Sequence, residues 1–158
     1  MSDMTHTTLH NRAIIRLSPT EEGENVRTFL QGLVTQDTNL VQDNAPVWTA
    51  LLTPQGKLLF DFLLWAEGDN ILVDCEADQA DALAKRLSTY RLRRKIAIAR
   101  DDSLHVGWGD APPASAVQSA TDPRLAALGT RYLARESGEA NDDAWRAHRL
   151  ALGVAEGA

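Results

Sequence analysis

The sequence predicts an α+β domain: a mainly antiparallel sheet with helices on one face. Two observations carry this prediction. Short apolar runs and amphipathic segments follow one another in the order β-α-β-β-β-α-β-β. The central apolar runs are joined by short turns, which are typical of antiparallel hairpins rather than of parallel crossovers. The 158 residues, of which 44% are hydrophobic and 24% charged, can bury a core of this kind.

The first predicted elements are a strand and a helix. Residues 1–12 are polar and are expected to be loose, whereas the apolar run at residues 13–17 predicts a strand. Ser18 is a favourable N-cap and Pro19 a favourable first helical residue, so a helix start is predicted there. Its firm part, at residues 24–34, is indicated by apolar residues at helical spacing: Val26, Phe29, Leu30 and Leu33.

The clearest hairpin lies at the centre of the predicted sheet. Its apolar runs, residues 47–53 and 57–66, meet at Pro54-Gln55-Gly56, where proline sets the first φ of a turn and glycine can supply a positive one. A third strand is predicted at residues 71–75. An amphipathic helix of about 15 residues follows over residues 77–90.

The remaining elements divide the chain into two predicted lobes. Strands at residues 95–99 and 103–108 complete an α+β lobe over residues 12–109. Residues 110–120 are small and rich in proline, and are interpreted as a linker or loop. Residues 121–158 hold one predicted strand (130–135) and one predicted helix (142–152), which is too little to close a separate core. They are interpreted as a partial second lobe.

Composition argues against several classes of protein. The net charge of −6 disfavours a nucleic-acid partner, because affinity for phosphate backbones requires a basic surface. The longest apolar stretch, residues 58–66, is far shorter than the roughly 20 residues of a membrane helix. No apolar signal segment opens the chain, so we expect a soluble, cytoplasmic protein. The single cysteine, Cys75, and four scattered histidines predict no metal site.

Asp61 is the most informative single residue. Within residues 58–65 of the predicted strand it is the one charged side chain, and both faces are otherwise apolar. Burying an ionised carboxylate costs several kcal/mol unless it is paired or hydrogen-bonded. Asp61 is therefore either a structural residue held by backbone N–H groups or an arginine, or a ligand-facing carboxylate beside an apolar slot for an aromatic ring.

Two polar clusters have similarly open interpretations. Residues 31–39 follow the first helix, and their amide and hydroxyl groups either orient a ligand or satisfy the helix end, with the second favoured. Six of the 16 basic residues lie within residues 85–95, at the end of the second helix. They are solvated charges that complement the helix dipole, or a rim that attracts a carboxylate-bearing ligand or an acidic partner.

Three sequence blocks carry a resemblance to a known family. They are FLQGLVTQDTNL at residues 29–40, LLTPQGKLLFDFLLW at residues 51–65 and YRLRRKI at residues 90–96. The chain resembles the YgfZ-type folate-binding family, which is related to the glycine-cleavage T-protein, an aminomethyltransferase. Two further segments, residues 122–133 and 145–157, are similar to the middle region of that family in order and spacing.

The resemblance implies a T-protein-like folate-binding lobe and a role with tetrahydrofolate, or a derivative, in the assembly or repair of iron–sulfur clusters. Folate would be the ligand, and iron–sulfur proteins or assembly factors the protein partners. Asp61 matches the essential aspartate of the T-protein. The residues expected to bind the cofactor lie in the three blocks: Gln31, Thr35, Gln36, Asp61, Tyr90 and Arg91.

The same resemblance sets limits. The family's Lys-Gly-Cys-Tyr-x-Gly-Gln-Glu signature does not occur in these residues, and Cys75 does not match its cysteine. The chain is expected to correspond to the N-terminal portion of such a protein, without the C-terminal barrel lobe and without stand-alone enzyme activity. Two alternatives stay open, namely a folate-dependent one-carbon transferase and a non-catalytic interaction domain with a vestigial pocket.

Overall fold

The computed structural model describes residues 6–138 and 140–154. Within these ranges the chain forms nine strands, three α-helices and three short 3₁₀ helices. The strands are β1 (His6–Thr8), β2 (Arg12–Pro19), β3 (Val47–Leu52), β4 (Leu58–Glu67), β5 (Asn70–Glu76), β6 (Ile96–Arg100), β7 (His105–Gly109), β8 (Ala116–Thr121) and β9 (Thr130–Ala134). The helices are α1 (Val26–Gln31), α2 (Ala80–Arg91) and α3 (Asp142–Ala151). None of these helices combines the length and apolar character that crossing a bilayer would require.

The larger sheet has five strands in the order β3-β4-β5-β2-β6, and every neighbouring pair is antiparallel. It contains the predicted central hairpin, in which Thr49 pairs with Phe62 and Ala50 with Asp61. Gly56 in the connecting turn has a φ of 84°, which glycine adopts without steric cost. The predicted hairpin and the third strand after it are confirmed.

Helices α1 and α2 cover one face of this sheet. The first hydrophobic core joins buried residues of both helices, including Phe29, Leu30, Leu83 and Leu87, to inward-facing residues of β2, β4 and β5. This arrangement confirms the predicted fold class of an antiparallel sheet with helices on one face. Residues 77–79, expected to be α-helical, form a 3₁₀ turn that leads into α2.

A second sheet covers the opposite face. It has four strands in the order β1-β7-β9-β8, again antiparallel at each pairing. A second core joins Trp65 and Leu72 of the five-stranded sheet to Leu133 of β9 and Trp145 of α3. The five-stranded sheet is therefore buried on both faces, which explains why β4 and β5 carry apolar residues on both faces rather than alternating with polar ones.

The predicted helix start at Ser18-Pro19 is wrong, because β2 extends to Pro19, which pairs with Ile96 of β6. Proline lacks a donor N–H, but as the last residue of β2 it ends the ladder without interrupting it. The helix starts at Val26, where the side chain of Asn25 caps the N–H of Thr28. Helix α1 is consequently shorter than the predicted segment.

Two segments that are expected to lack regular structure contain strands instead. His6–Thr8, expected to be loose, is β1, and the segment interpreted as a linker or loop contains β8 at Ala116–Thr121. The second sheet thus combines the N-terminal region, β7 of the predicted first lobe and β9 of the predicted second lobe. β1 pairs with β7, about 100 positions further along the chain, and local patterns do not report such a pairing.

Candidate functional site

Asp61 lines a cavity of about 460 Å³ beside the β3–β4 hairpin. The hairpin contributes Trp48, Ala50 and Leu58, the loop between β8 and β9 contributes Arg124, and the segment after α3 contributes Val154. Most of this wall is apolar. The cavity therefore combines an acidic side chain with an aromatic and an aliphatic surface, the arrangement predicted for the ligand-facing interpretation of Asp61.

The hydrogen bonds of Asp61 are incomplete. Its Oδ2 accepts a hydrogen bond from the indole N–H of Trp48, with an N–O distance of 3.2 Å. Its Oδ1 is buried and accepts no hydrogen bond from the described residues. A buried acceptor without a donor costs roughly 1–3 kcal/mol. The carboxylate thus has capacity for a donor that the described residues do not provide.

Thr35 is brought to the same cavity by the segment after α1. Val34 forms an isolated bridge with Leu51, which holds this segment against the edge of β3. The Oγ1 of Thr35 lies 3.2 Å from the Oγ1 of Thr49 and accepts a hydrogen bond from the backbone N–H of Ala50. Thr35 is therefore both a structural residue and part of the cavity wall.

Gln31 and Gln36 do not line this cavity. The Oε1 of Gln31 accepts hydrogen bonds from the backbone N–H and the hydroxyl of Thr38, at 2.8 Å and 2.9 Å. The Oε1 of Gln36 accepts a hydrogen bond from the backbone N–H of Asp37. Both side chains therefore accept hydrogen bonds from the segment that follows α1, which is the interpretation that the sequence favours. Their assignment to a folate site stays a prediction.

Tyr90 and Arg91 lie at a different cavity, of about 680 Å³, between the ends of α1 and α2. Its walls include Phe29 and Leu33, which belong to or pack against the first core. Helices α1 and α2 cover the face of the sheet opposite to that of Asp61. The six residues expected to bind one cofactor are therefore divided between two faces of the molecule. Of the other five, only Thr35 lines the cavity of Asp61, and Tyr90 and Arg91 line the second cavity.

The sequence interpretation missed a buried ionic network around Asp74. Arg12 donates from Nε to Oδ1 of Asp74 at 2.9 Å, and Arg131 donates from Nε to Oδ2 at 2.7 Å and from Nη2 to Oδ1 at 2.9 Å. The indole of Trp65 donates to Oδ2 at 3.2 Å. Burial alone would raise the pKa of Asp74, but the guanidinium groups of Arg131 and Arg12 lower it well below its usual range.

This network extends to the wall of the Asp61 cavity. Nη1 of Arg131 lies 3.6 Å from Oδ2 of Asp122, which also accepts a hydrogen bond of 2.7 Å from Nη2 of Arg124. Arg124 is in turn a lining residue of the cavity. The register of the predicted hairpin could have placed Trp48 near Asp61. No local pattern indicates Arg124, because it reaches the cavity from the loop between β8 and β9, which is distant from the hairpin in the chain.

Two further observations limit the chemistry that the described residues can perform. Burial raises the pKa of the Cys75 thiol to about 12, so this cysteine is protonated and unreactive at neutral pH. In the part of the chain that the structure describes, no three His, Cys, Asp or Glu side chains come together as a metal site would require.

Curated relatives match nearly the whole chain. The mitochondrial IBA57 protein of Mus musculus is 31% identical over 84% of this chain, and that of Homo sapiens is 29% identical over 94%. The homologue from Neurospora crassa is 26% identical over 96% of the chain. This chain is similar to the IBA57 iron–sulfur cluster assembly factors. It spans 41–50% of the length of these three relatives. No protein-family model matches the sequence.

A solved structure shows the fold. The aminomethyltransferase T of the glycine cleavage system from Bartonella henselae superposes with a TM-score of 0.60 at 13% sequence identity. The match covers 93% of this chain and 44% of that protein. The expected relationship to the T-protein fold and to iron–sulfur assembly factors is thus confirmed, while membership of the YgfZ-type family itself stays a prediction.

The comparisons correct one expectation. A cytoplasmic location was expected from composition, but the IBA57 relatives from Neurospora crassa, mouse and human are all mitochondrial proteins. The expectation is wrong because composition reports whether a surface is compatible with water and not the compartment in which a protein works.

Proposed function

We propose that this chain forms the folate-binding part of an accessory protein in iron–sulfur cluster assembly, with a tetrahydrofolate derivative bound at the Asp61 cavity. The observation that carries the proposal is the buried carboxylate oxygen of Asp61 that has no donor among the described residues. The similarity to the IBA57 assembly factors supports the process. The aminomethyltransferase fold supports the class of ligand.

The residues that line the Asp61 cavity fit a reduced pterin. Its pyrimidine ring is flat and carries N–H donors at one edge, and the carboxylate of Asp61 is an acceptor. Trp48, Leu58 and Val154 provide apolar surface for the ring faces, and about 460 Å³ lies in the range of small-molecule sites. When bound, tetrahydrofolate supplies nitrogen atoms that carry one-carbon units. The role of Asp61 would be to orient the ring and exclude water from its N–H edge.

Asp61→Asn tests the proposal directly. The amide has roughly the shape of the carboxylate but loses its charge and offers an N–H₂ group in place of one acceptor oxygen. A hydrogen bond to a charged group contributes about 1.5–3 kcal/mol, so we expect the Kd for 5-formyltetrahydrofolate to rise by roughly 10- to 150-fold in isothermal titration calorimetry.

The matched control is Asp69→Asn, an equal charge change in the exposed turn between β4 and β5. It should bind the folate with the affinity of the unaltered chain. Equal affinities of Asp61→Asn and the control would remove Asp61 from the site. No binding by the unaltered chain would favour the interaction domain with a vestigial pocket. Formation of 5,10-methylenetetrahydrofolate from an aminomethyl donor would favour the transferase.

A further inference from the structure

A second surface lies at the ends of α1 and α2, on the face opposite the Asp61 cavity. Its centre is a tight turn over residues 91–94, closed by a hydrogen bond of 2.8 Å from the backbone N–H of Arg94 to the carbonyl of Arg91. Leu92, the second residue of this turn, has φ 50° and ψ −115°. These angles are close to those of the first central position of a type II′ turn, which normally holds glycine. We call residues 91–94 the arginine turn.

Leu92 is unfavourable here for two separate reasons. A side chain at positive φ strains the backbone, and the apolar side chain is 86% exposed to solvent. Glycine would remove the strain and a polar residue would remove the apolar exposure. The stability of the described fold therefore does not explain why a leucine occupies position 92. An apolar side chain held outward by a rigid turn is suited to insertion into a partner.

The arginines around Leu92 differ in their contacts. Arg91 donates from Nη1 to the carbonyl of Ile96, and Arg94 donates from Nη2 to Oε1 of Glu24 at 2.7 Å. Arg93 is exposed, and within the described residues it forms no hydrogen bond or ion pair. Two of the three guanidinium groups are thus fixed in place, and the third is free to bind.

The charge of this surface is opposite to that of the whole chain. Arg91, Arg93 and Arg94 cluster on a molecule whose net charge is −6. Among the described residues, the carboxylate that pairs with this cluster is that of Glu24, which binds Arg94. The surface also contains the cavity of about 680 Å³ whose apolar walls include Phe29 and Leu33. An acidic partner would be repelled by most of the molecule and attracted here.

We propose that the arginine turn and the adjoining cavity dock an acidic protein surface that presents an apolar side chain among its carboxylates. Leu92 would enter an apolar pocket of the partner, and the partner's apolar side chain would enter the cavity between α1 and α2. A protein fits better than an anionic small molecule or a nucleic acid, because neither of these would bury Leu92. The surface is separate from the Asp61 cavity, and the proposal does not depend on folate binding.

The test uses fluorescence anisotropy with a fluorescein-labelled peptide in which Asp and Glu flank Leu and Phe. We expect the complete chain to bind this peptide, and binding to weaken as salt rises. A version with Ser in place of Leu and Phe, and a version with Lys in place of the acidic residues, should each bind at least tenfold more weakly.

Two variants separate docking from folding. Leu92→Gly removes the apolar side chain while suiting the positive φ, so the Tm should stay the same or rise while peptide affinity falls at least tenfold. Arg93→Glu should weaken binding by a similar factor. The controls are Leu150→Ala and Arg146→Glu, which alter an exposed leucine and an exposed arginine on α3 and should leave affinity unchanged.

Four outcomes would overturn the proposal. The first is unchanged peptide affinity in Leu92→Gly and Arg93→Glu. The second is equal or tighter binding of penta-γ-glutamate, which would assign the surface to the tail of a folate. The third is equal or tighter binding of a single-stranded oligonucleotide. The fourth is self-association in analytical ultracentrifugation that Leu92→Gly abolishes without any peptide binding, which would identify a second copy of this chain as the occupant.

Discussion

Two aspartates in apolar strands have contrasting roles. Asp74 in β5 is completely buried and accepts hydrogen bonds from two arginines and a tryptophan. Asp61 in β4 accepts one hydrogen bond and keeps one oxygen without a donor among the described residues. The first carboxylate is therefore satisfied by the fold, whereas the second is available to a ligand. Sequence pattern alone does not distinguish them, because both interrupt apolar runs.

Asp74→Asn should destabilise the protein strongly, because it removes the buried carboxylate charge that Arg12 and Arg131 share. Breaking a buried ion pair typically costs about 3–5 kcal/mol. The lowered pKa of folded Asp74 also predicts a pH effect. Its contribution is fully present above the unfolded pKa of roughly 4 and is lost progressively as pH falls from there towards the lower pKa of the folded state. Urea unfolding at pH 7 and pH 3 should show a smaller acid-induced loss in the variant.

The control for this charge change is Asp102→Asn. Asp102 pairs with Arg100, but its side chain is 82% exposed, and exposed ion pairs contribute roughly 0–1 kcal/mol. A small effect of Asp74→Asn, comparable to that of Asp102→Asn, would show that the network does not stabilise the fold.

At the scale of elements, the pairing of β7 with β9 depends on a glycine. Gly107 lies opposite Tyr132, and a Cβ added to Gly107 would come within 1.9 Å of Cζ of that ring. Neither the backbone angles nor a turn requires glycine here. The requirement comes from the tyrosine, whose ring crosses the neighbouring strand at this position.

Gly107→Ala should destabilise the second sheet, since the tyrosine ring must leave its position or the strands must separate. Overpacking of this kind costs about 1–3 kcal/mol. The matched control is Gly32→Ala at the end of α1, where φ is −78° and the nearest atom to an added Cβ is 3.9 Å away. The control should be neutral or slightly stabilising. Thermal unfolding of both variants gives the comparison, and equal Tm values would contradict the packing explanation.

The predicted elements succeed where the signal is local. The hairpin at residues 47–66 and the face of α2 follow from alternation, turn residues and helical spacing, and the structure confirms them. The helix predicted from Ser18 fails because the same residues can also extend a strand. Pairing of β2 with β6 decides in favour of the strand, and a capping pattern carries no information about that pairing.

For the whole molecule, the two cores share one sheet. Strands β2, β4 and β5 contribute buried residues to the first core on one face and to the second core on the other. The Asp74 network joins β2 and β5 to β9 across the same boundary. Neither core can therefore be lost without exposing a face of the five-stranded sheet.

We expect the chain to unfold in a single transition rather than as two lobes divided near residue 110. Trp65 and Trp145 report on the second core, and far-UV circular dichroism reports on all elements. Urea curves from tryptophan fluorescence and circular dichroism should share one midpoint. Two separated midpoints would support independent lobes at residues 12–109 and 121–158.

The sequence by itself determined the antiparallel hairpins, the two helices on one face and the position of Asp61 as a lone carboxylate between apolar residues of β4, because periodicity, turn residues and an isolated charge are local signals. Tertiary structure alone decided three other features. These are the second sheet, the neutralisation of Asp74 by Arg12 and Arg131, and the approach of Arg124 and Val154 to the Asp61 cavity. The physical reason is that each depends on at least one contact between residues more than 50 positions apart, such as the pairing of His6 with Gly109 in the second sheet. The free energy of such contacts depends on the whole packed molecule.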